Sequence, residues 1–134
     1  MAKRSFTTKD TAVNTGTGYS SVRDWTIHEY IIPEVESGGQ GKPNFYSEQN
    51  LYQIKLFSIL LEHGVPRGTA KNIIAEFVTK VLPKPFLCIF KDGKLIKTRW
   101  MTSGQLKNED LDRVTVINVE KVINEVDNNI INLS

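Results

Sequence analysis

The chain is poor in cysteine, in long apolar runs and in net charge. Among its 134 residues only Cys88 carries a thiol, which excludes an intrachain disulfide and a multi-thiolate metal centre within one chain. No apolar run approaches the roughly 20 residues of a membrane span, and the opening "MAKRSFTTKD" has no apolar leader core, so a cytoplasmic location is expected. The formal net charge is +2, with 9 Lys+Arg against 8 Asp+Glu in residues 1–80 and 8 against 7 in residues 81–134. Neither part is a basic tail, so a nucleic-acid partner must be held by a few placed cations and not by a bulk field. Catalytic grammar is missing too: there is no phosphate-cradling glycine loop with its Lys, no nucleophile elbow and no paired His spacing. His28 and His63 stand apart from other metal-type residues, and "NEDLD" at 108–112 lacks the alternation of a calcium loop. No enzyme, metal or cofactor is expected.

What is present fits one domain, or a small domain with an appendage: hydrophobic residues make up 40% and charged residues 24%, the balance of a soluble globular chain. Thr7 caps a predicted first helix that Phe6 staples and Gly16 stops, with Ala12 and Val13 inward. Gly16-Thr17-Gly18 makes a turn, and a second helix over about 19–29 turns Val22, Trp25 and Ile27 inward and Tyr19, Ser20, Arg23 and Asp24 outward. Two short helices on a tight glycine turn read as a helix-turn-helix. "GGQGKPN" at 38–44 is turn chemistry between two β-prone pieces, Tyr30-Ile31-Ile32 and Phe45-Tyr46, which are expected to pair as a hairpin. Trp25 and Phe45 read as core.

Ser47 caps a third helix with Leu51, Ile54, Phe57 and Leu61 as its stripe, ended by Gly64. Pro66 opens a fourth with Ala70, Ile73, Ile74, Phe77 and Val81 inward. Pro83-Lys84-Pro85 stops it. "FLCIFKDGKLIKTRW" is then a β-run, an Asp92-Gly93 turn and a β-run, the strongest hairpin signal in the chain. A polar connection leads to a strand at 114–117 and a last helix capped by Asn118. The expected class is α+β, with a helical domain at 1–82 and a β-β-β-α appendage at 86–134.

Residues 6–81 resemble the DNA-binding domain of the mercury-resistance regulator (MerR) family of bacterial transcription factors. Thr11-Ala12 and Thr15-Gly16 match the family's first helix and turn. "SVRDW" resembles its Leu-Arg-aromatic-aromatic stretch, and Ile31-Ile32-Pro33 its Leu-hydrophobic-Pro exit. "GGQGKPNFYSEQNL" resembles its wing, and "LLEHGVP" the link between its last two helices. The resemblance implies a winged helix-turn-helix of four helices plus wing. The family's wing Arg falls at Asn44 here, which leaves Lys42 as the wing cation. Gly18 replaces the usual cap of the recognition helix. Pro83 and Pro85 forbid the long dimerisation helix of many members, and the metal-binding cysteines of its sensors are missing.

The expected DNA contacts are therefore Tyr19, Ser20 and Arg23 on the recognition helix and Lys42 and Asn44 in the wing. The expected partner is double-stranded DNA, read by a homodimer on a two-fold site, in a transcriptional regulator associated with the nucleoid; there is room for a small-molecule effector. The alternatives are an excisionase-like architectural or recombination accessory factor, and an effector-sensing or protein-interaction module. A strand apolar on both faces, such as 86–90, needs cover on both, so 86–134 is expected to form the dimer interface.

Overall fold

Thr7 accepts a hydrogen bond from the Asp10 amide through its side chain and starts α1 (Thr8–Thr15) as its sequence foretold. Gly16 ends the helix at φ 69°, a left-handed turn that a side chain would oppose. α2 (Tyr19–Ile27), α3 (Glu48–Glu62) and α4 (Arg67–Phe77) follow. Ser47 caps α3 in a capping box with Asn50, and the Pro66 carbonyl accepts from the Ala70 amide to open α4. These elements come from a computed structural model that describes residues 5–36, 43–77, 84–109 and 112–133. Lys3, Arg4, Lys42, Val81 and Pro83 lie outside the described residues.

The remaining chain forms β1 (Phe86–Asp92), β2 (Leu95–Met101), α5 (Ser103–Leu106), β3 (Val114–Asn118) and α6 (Val119–Leu133). The sheet order is β2-β1-β3, antiparallel throughout, with Gly93 at φ 61° turning the hairpin. The protein is thus α+β, a set of helices with a small three-stranded antiparallel sheet. Asn118 caps α6 by accepting from the Lys121 amide, as expected. The one-turn helix α5 was not foreseen in the polar connection. Thr102 and Gln105 make a reciprocal capping box around it, and Gln is one of the two residues that motif prefers.

Four expectations fail in instructive ways. Val13 is 52% exposed, because the inner side of α1 is made by Thr11, Ala12, Asn14 and Thr15. Ile27 is 65% exposed at the last position of α2, and Ile31 fills the core in its place. Tyr30-Ile31-Ile32 is not a strand: the Tyr30 and Ile31 amides both donate to the Trp25 carbonyl, and Glu29 reverses the chain at φ 62°. The bridge that closes the loop is Val35 to Phe45, while Tyr46 pairs with Phe6. Phe45 is half-buried and Tyr46 takes the core position.

The core runs unbroken from the helices into the sheet. Leu87, Ile89, Ile117, Val119, Val122, Val126 and Ile130 share one buried cluster with residues of the first four helices. A Cβ placed on Gly64 would lie 3.9 Å from Ile96 Cδ1, so β2 rests against the turn between α3 and α4. The Tyr52 hydroxyl donates to Asp127 Oδ1 at 2.5 Å, joining α3 to α6, and Asn129 Nδ2 donates to the Asn14 carbonyl at 2.9 Å, joining α6 to α1. On the opposite face of the sheet, Cys88 and Met101 are also fully buried within the one chain. The two apolar faces of β1 that suggested a second chain are therefore covered at these positions by this chain itself.

Candidate nucleic-acid interface

α2 is fixed on its inner side and open on its outer side. Trp25 meets Phe57 of α3 edge-on with ring centroids 4.8 Å apart, and Tyr30 meets the same ring at 5.6 Å. Val22 is fully buried. Thr26 Oγ1 lies 2.8 Å from the Tyr46 hydroxyl, tying the end of the helix to the segment that follows the glycine loop. With one side anchored in this way, positions 19, 23 and 27 fall on one outward stripe at four-residue spacing. Tyr19 is 52% exposed, Ser20 and Arg23 are exposed beside it, and Ile27 closes the stripe.

The helix begins at Gly18, which has no side chain to cap it. The first backbone N–H groups of α2 therefore gain no capping oxygen from that residue, and they carry the positive end of the helix dipole. That arrangement favours an anion next to Tyr19 and Ser20.

Asp24 would cancel Arg23 if the two neighbours paired, and they do not. Asp24 Oδ2 receives Arg67 Nη1 of α4 at 3.4 Å, and Asp24 Oδ1 faces His28 Nδ1 at 3.2 Å. Among the described residues Arg23 has no ion-pair or hydrogen-bond partner. Its guanidinium keeps its five donors for an external acceptor.

Asn44 sits elsewhere. It is half-buried in a cleft of about 220 Å³ at the other end of α2, with Ile27, Ile32 and Glu36 among the walls. The structure thus brings Tyr19, Ser20 and Arg23 onto one surface and places Asn44 beyond the C-terminal end of the helix. Lys42 lies outside the described residues. The ground around Asn44 is acidic and apolar: Glu29, Glu34 and Glu36 are exposed there, as are Ile32 and Val35 at 51% each.

Two contributors were not singled out as site residues from sequence. Arg67 opens α4, and its contact with Asp24 depends on how α4 packs, which no local pattern encodes. Asn50 is 6% exposed, and its Oδ1 accepts from the Glu34 and Ser47 amides while its Nδ2 donates to the Ile32 carbonyl. It pins the 32–34 segment to the start of α3. Its position three residues after the Ser47 cap was the available signal.

Among the described residues no helix is long and apolar enough to cross a membrane. No protein-family model matches the chain, and no curated protein matches it.

Proposed function

We propose that this protein is a bacterial transcriptional regulator of the MerR-like winged helix-turn-helix class that binds double-stranded DNA in a sequence-specific way. In this reading α1 and α2 are the helix-turn-helix, α2 enters the major groove, and the stretch GGQGKPN at 38–44 serves as the wing on the flanking backbone or minor groove. Arg23 carries the reading: it is an exposed cation on the outer side of α2, and the adjacent acid is engaged by Arg67 and His28. It supplies a base-edge or phosphate contact, with Tyr19, Ser20 and the uncapped start of α2 on phosphate. Ile27 on the same stripe suits a thymine methyl group. Lys42 gives the wing its cation, and Asn44, which stands at the family's wing Arg position, is its second DNA contact. With so few cations per chain, useful affinity calls for two chains on a two-fold site, so the functional unit is a homodimer.

Selecting bound duplexes from a random DNA pool tests this. A palindromic winner supports both the specificity and the two-fold unit, and recovery of no preferred sequence at moderate salt contradicts the reading.

The exposed Ile27, Ile32 and Val35, ringed by Glu29 and Glu36, favour a second reading, a protein-docking module. Ile32→Ser separates the two, because Ile32 lies off the Tyr19–Arg23 stripe. Loss of a protein partner with unchanged DNA binding supports docking.

A further inference from the structure

The hairpin end of the sheet carries a groove that the DNA-reading surface does not use. Strand alternation puts Leu87 and Ile89 in the shared core and turns Cys88 and Phe90 to the opposite face, where Arg99 stands across from Cys88 and Lys97 across from Phe90. Toward the β1 end of the hairpin Cys88 is fully buried; burial pushes its thiol above the usual range, the Glu109 carboxylate adds to that rise and Arg99 opposes it. Toward the turn the cover gives out. A groove of about 730 Å³ opens there, with Phe90 and Leu95 as its apolar part, Lys91, Lys97, Arg99 and Arg113 as its cations and Asp92 and Glu109 as its acids. Leu95 is 56% exposed. Among the described residues Lys97 and Arg99 have no ion-pair partner.

We infer that this groove binds a small organic anion with an apolar or aromatic body, such as an aryl carboxylate, a sulfonate or a phosphate monoester. The volume lies within the range of small-ligand sites, roughly 300–1,000 Å³. Arg99 presents a planar fork that matches such an anionic group, and Lys97 adds a point charge on the same face. Phe90 and Leu95 take the apolar body. Charge decides against a nucleic-acid strand: Glu109 and Asp92 stand in the groove, and Lys91 only offsets Asp92. A compact anion can sit on Lys97 and Arg99 and turn a hydroxyl or amine toward Glu109, whereas a strand would run its phosphates past both acids. The site is independent of the DNA reading.

The test is a fluorescence titration of the full chain with anilinonaphthalene sulfonate, an aromatic anion, in the absence of DNA. The expected result is saturable binding of one equivalent that weakens with added salt. Lys97→Ala and Arg99→Ala should each weaken it about tenfold, and Lys71→Ala, an exposed cation of α4, should leave it unchanged. Lys97 and Arg99 are exposed, so circular dichroism of these variants should match the wild type; Lys97→Gln and Arg99→Gln serve as second variants and should weaken binding in the same way. Absence of saturable binding overturns the inference, as does equal weakening by Lys71→Ala. Loss of binding in Ile32→Ser without loss in Arg99→Ala overturns it in favour of the apolar cleft near Asn44. Arg99-dependent binding of a single-stranded thymidine oligonucleotide, with no binding of the sulfonate, overturns it in favour of a nucleic-acid surface.

Discussion

Arg67 of α4 reaches Asp24 of α2 at 3.4 Å, and Asp24 pairs with that distant cation and not with Arg23 next to it in sequence. The contact is half-exposed, with side-chain exposures of 51% and 45%, so its direct contribution to stability is about 0–1 kcal/mol. Its larger consequence is electrostatic. Arg67→Ala leaves Asp24 to His28 alone and lets the carboxylate compete for the Arg23 guanidinium. The expected outcome is weaker duplex binding with a melting temperature within a few degrees of wild type. Arg67→Ala combined with Asp24→Asn should recover part of the lost affinity. If the double variant binds no better than Arg67→Ala, the carboxylate does not restrain Arg23.

Tyr52 donates to Asp127 across the junction of α3 and α6. Burial, the Asp127 hydrogen bond and the nearby Asp127 and Glu48 charges all hold the phenol's pKa above its ordinary value. The folded chain therefore keeps the Tyr52 proton more tightly than the unfolded chain does. This contribution is fully present below about pH 10, the ordinary tyrosine value, and is lost as pH rises from there toward the raised folded value. Tyr52→Phe should cost about 1–3 kcal/mol at neutral pH, because it removes a hydrogen bond to a charged group. It should also flatten the alkaline loss of stability. Denaturant melts of both proteins between pH 7 and pH 11, a range of about four units around the tyrosine value, check both effects; parallel curves would remove Tyr52 as the cause.

Glu29 holds φ 62° with a full side chain, where glycine would sit without strain. Glu29→Gly should raise stability by about 0.5–1 kcal/mol despite the added freedom of the unfolded chain. It also removes one acid from the ground around Asn44. Thermal unfolding measures the first effect, and a destabilised Glu29→Gly would mean that the Glu29 side chain makes a contact that outweighs its backbone strain.

The helices and the hairpin were legible because their signals are local. Thr7 and Ser47 cap, Gly16 stops, and Asp92-Gly93 turns, and each acts within three or four residues. The chain after α2 departs from its local signal because Ile31 is β-prone by type yet serves as a plug under α2, a role fixed by the reversal at Glu29, a residue with no turn signature. Ile27 was misplaced for a related reason: helical periodicity nominates an inward position, but the helix ends there and Ile31 has already filled the space. On the candidate surface, Tyr19, Ser20 and Arg23 could be picked from their spacing on one helix. The Arg67 contact and the reach of Asn50 to residues 32 and 34 could not, since each joins residues separated by 16 or more positions; only the Asn50 bond to the Ser47 cap is local. The groove at Lys97 and Arg99 has no signature in the sequence, because alternation marks which residues share a face and says nothing of where the cover over that face ends.

The proposed function turns on α2 reading DNA through Arg23. Binding isotherms of wild type and Arg23→Ala on the selected duplex and on a scrambled duplex, each at several salt concentrations, test it most directly. A base contact predicts a loss of roughly 1–3 kcal/mol confined to the selected duplex. A phosphate contact predicts a similar loss on both duplexes and a salt slope smaller by about one. Equal affinities and equal salt slopes for a folded Arg23→Ala protein would contradict the account.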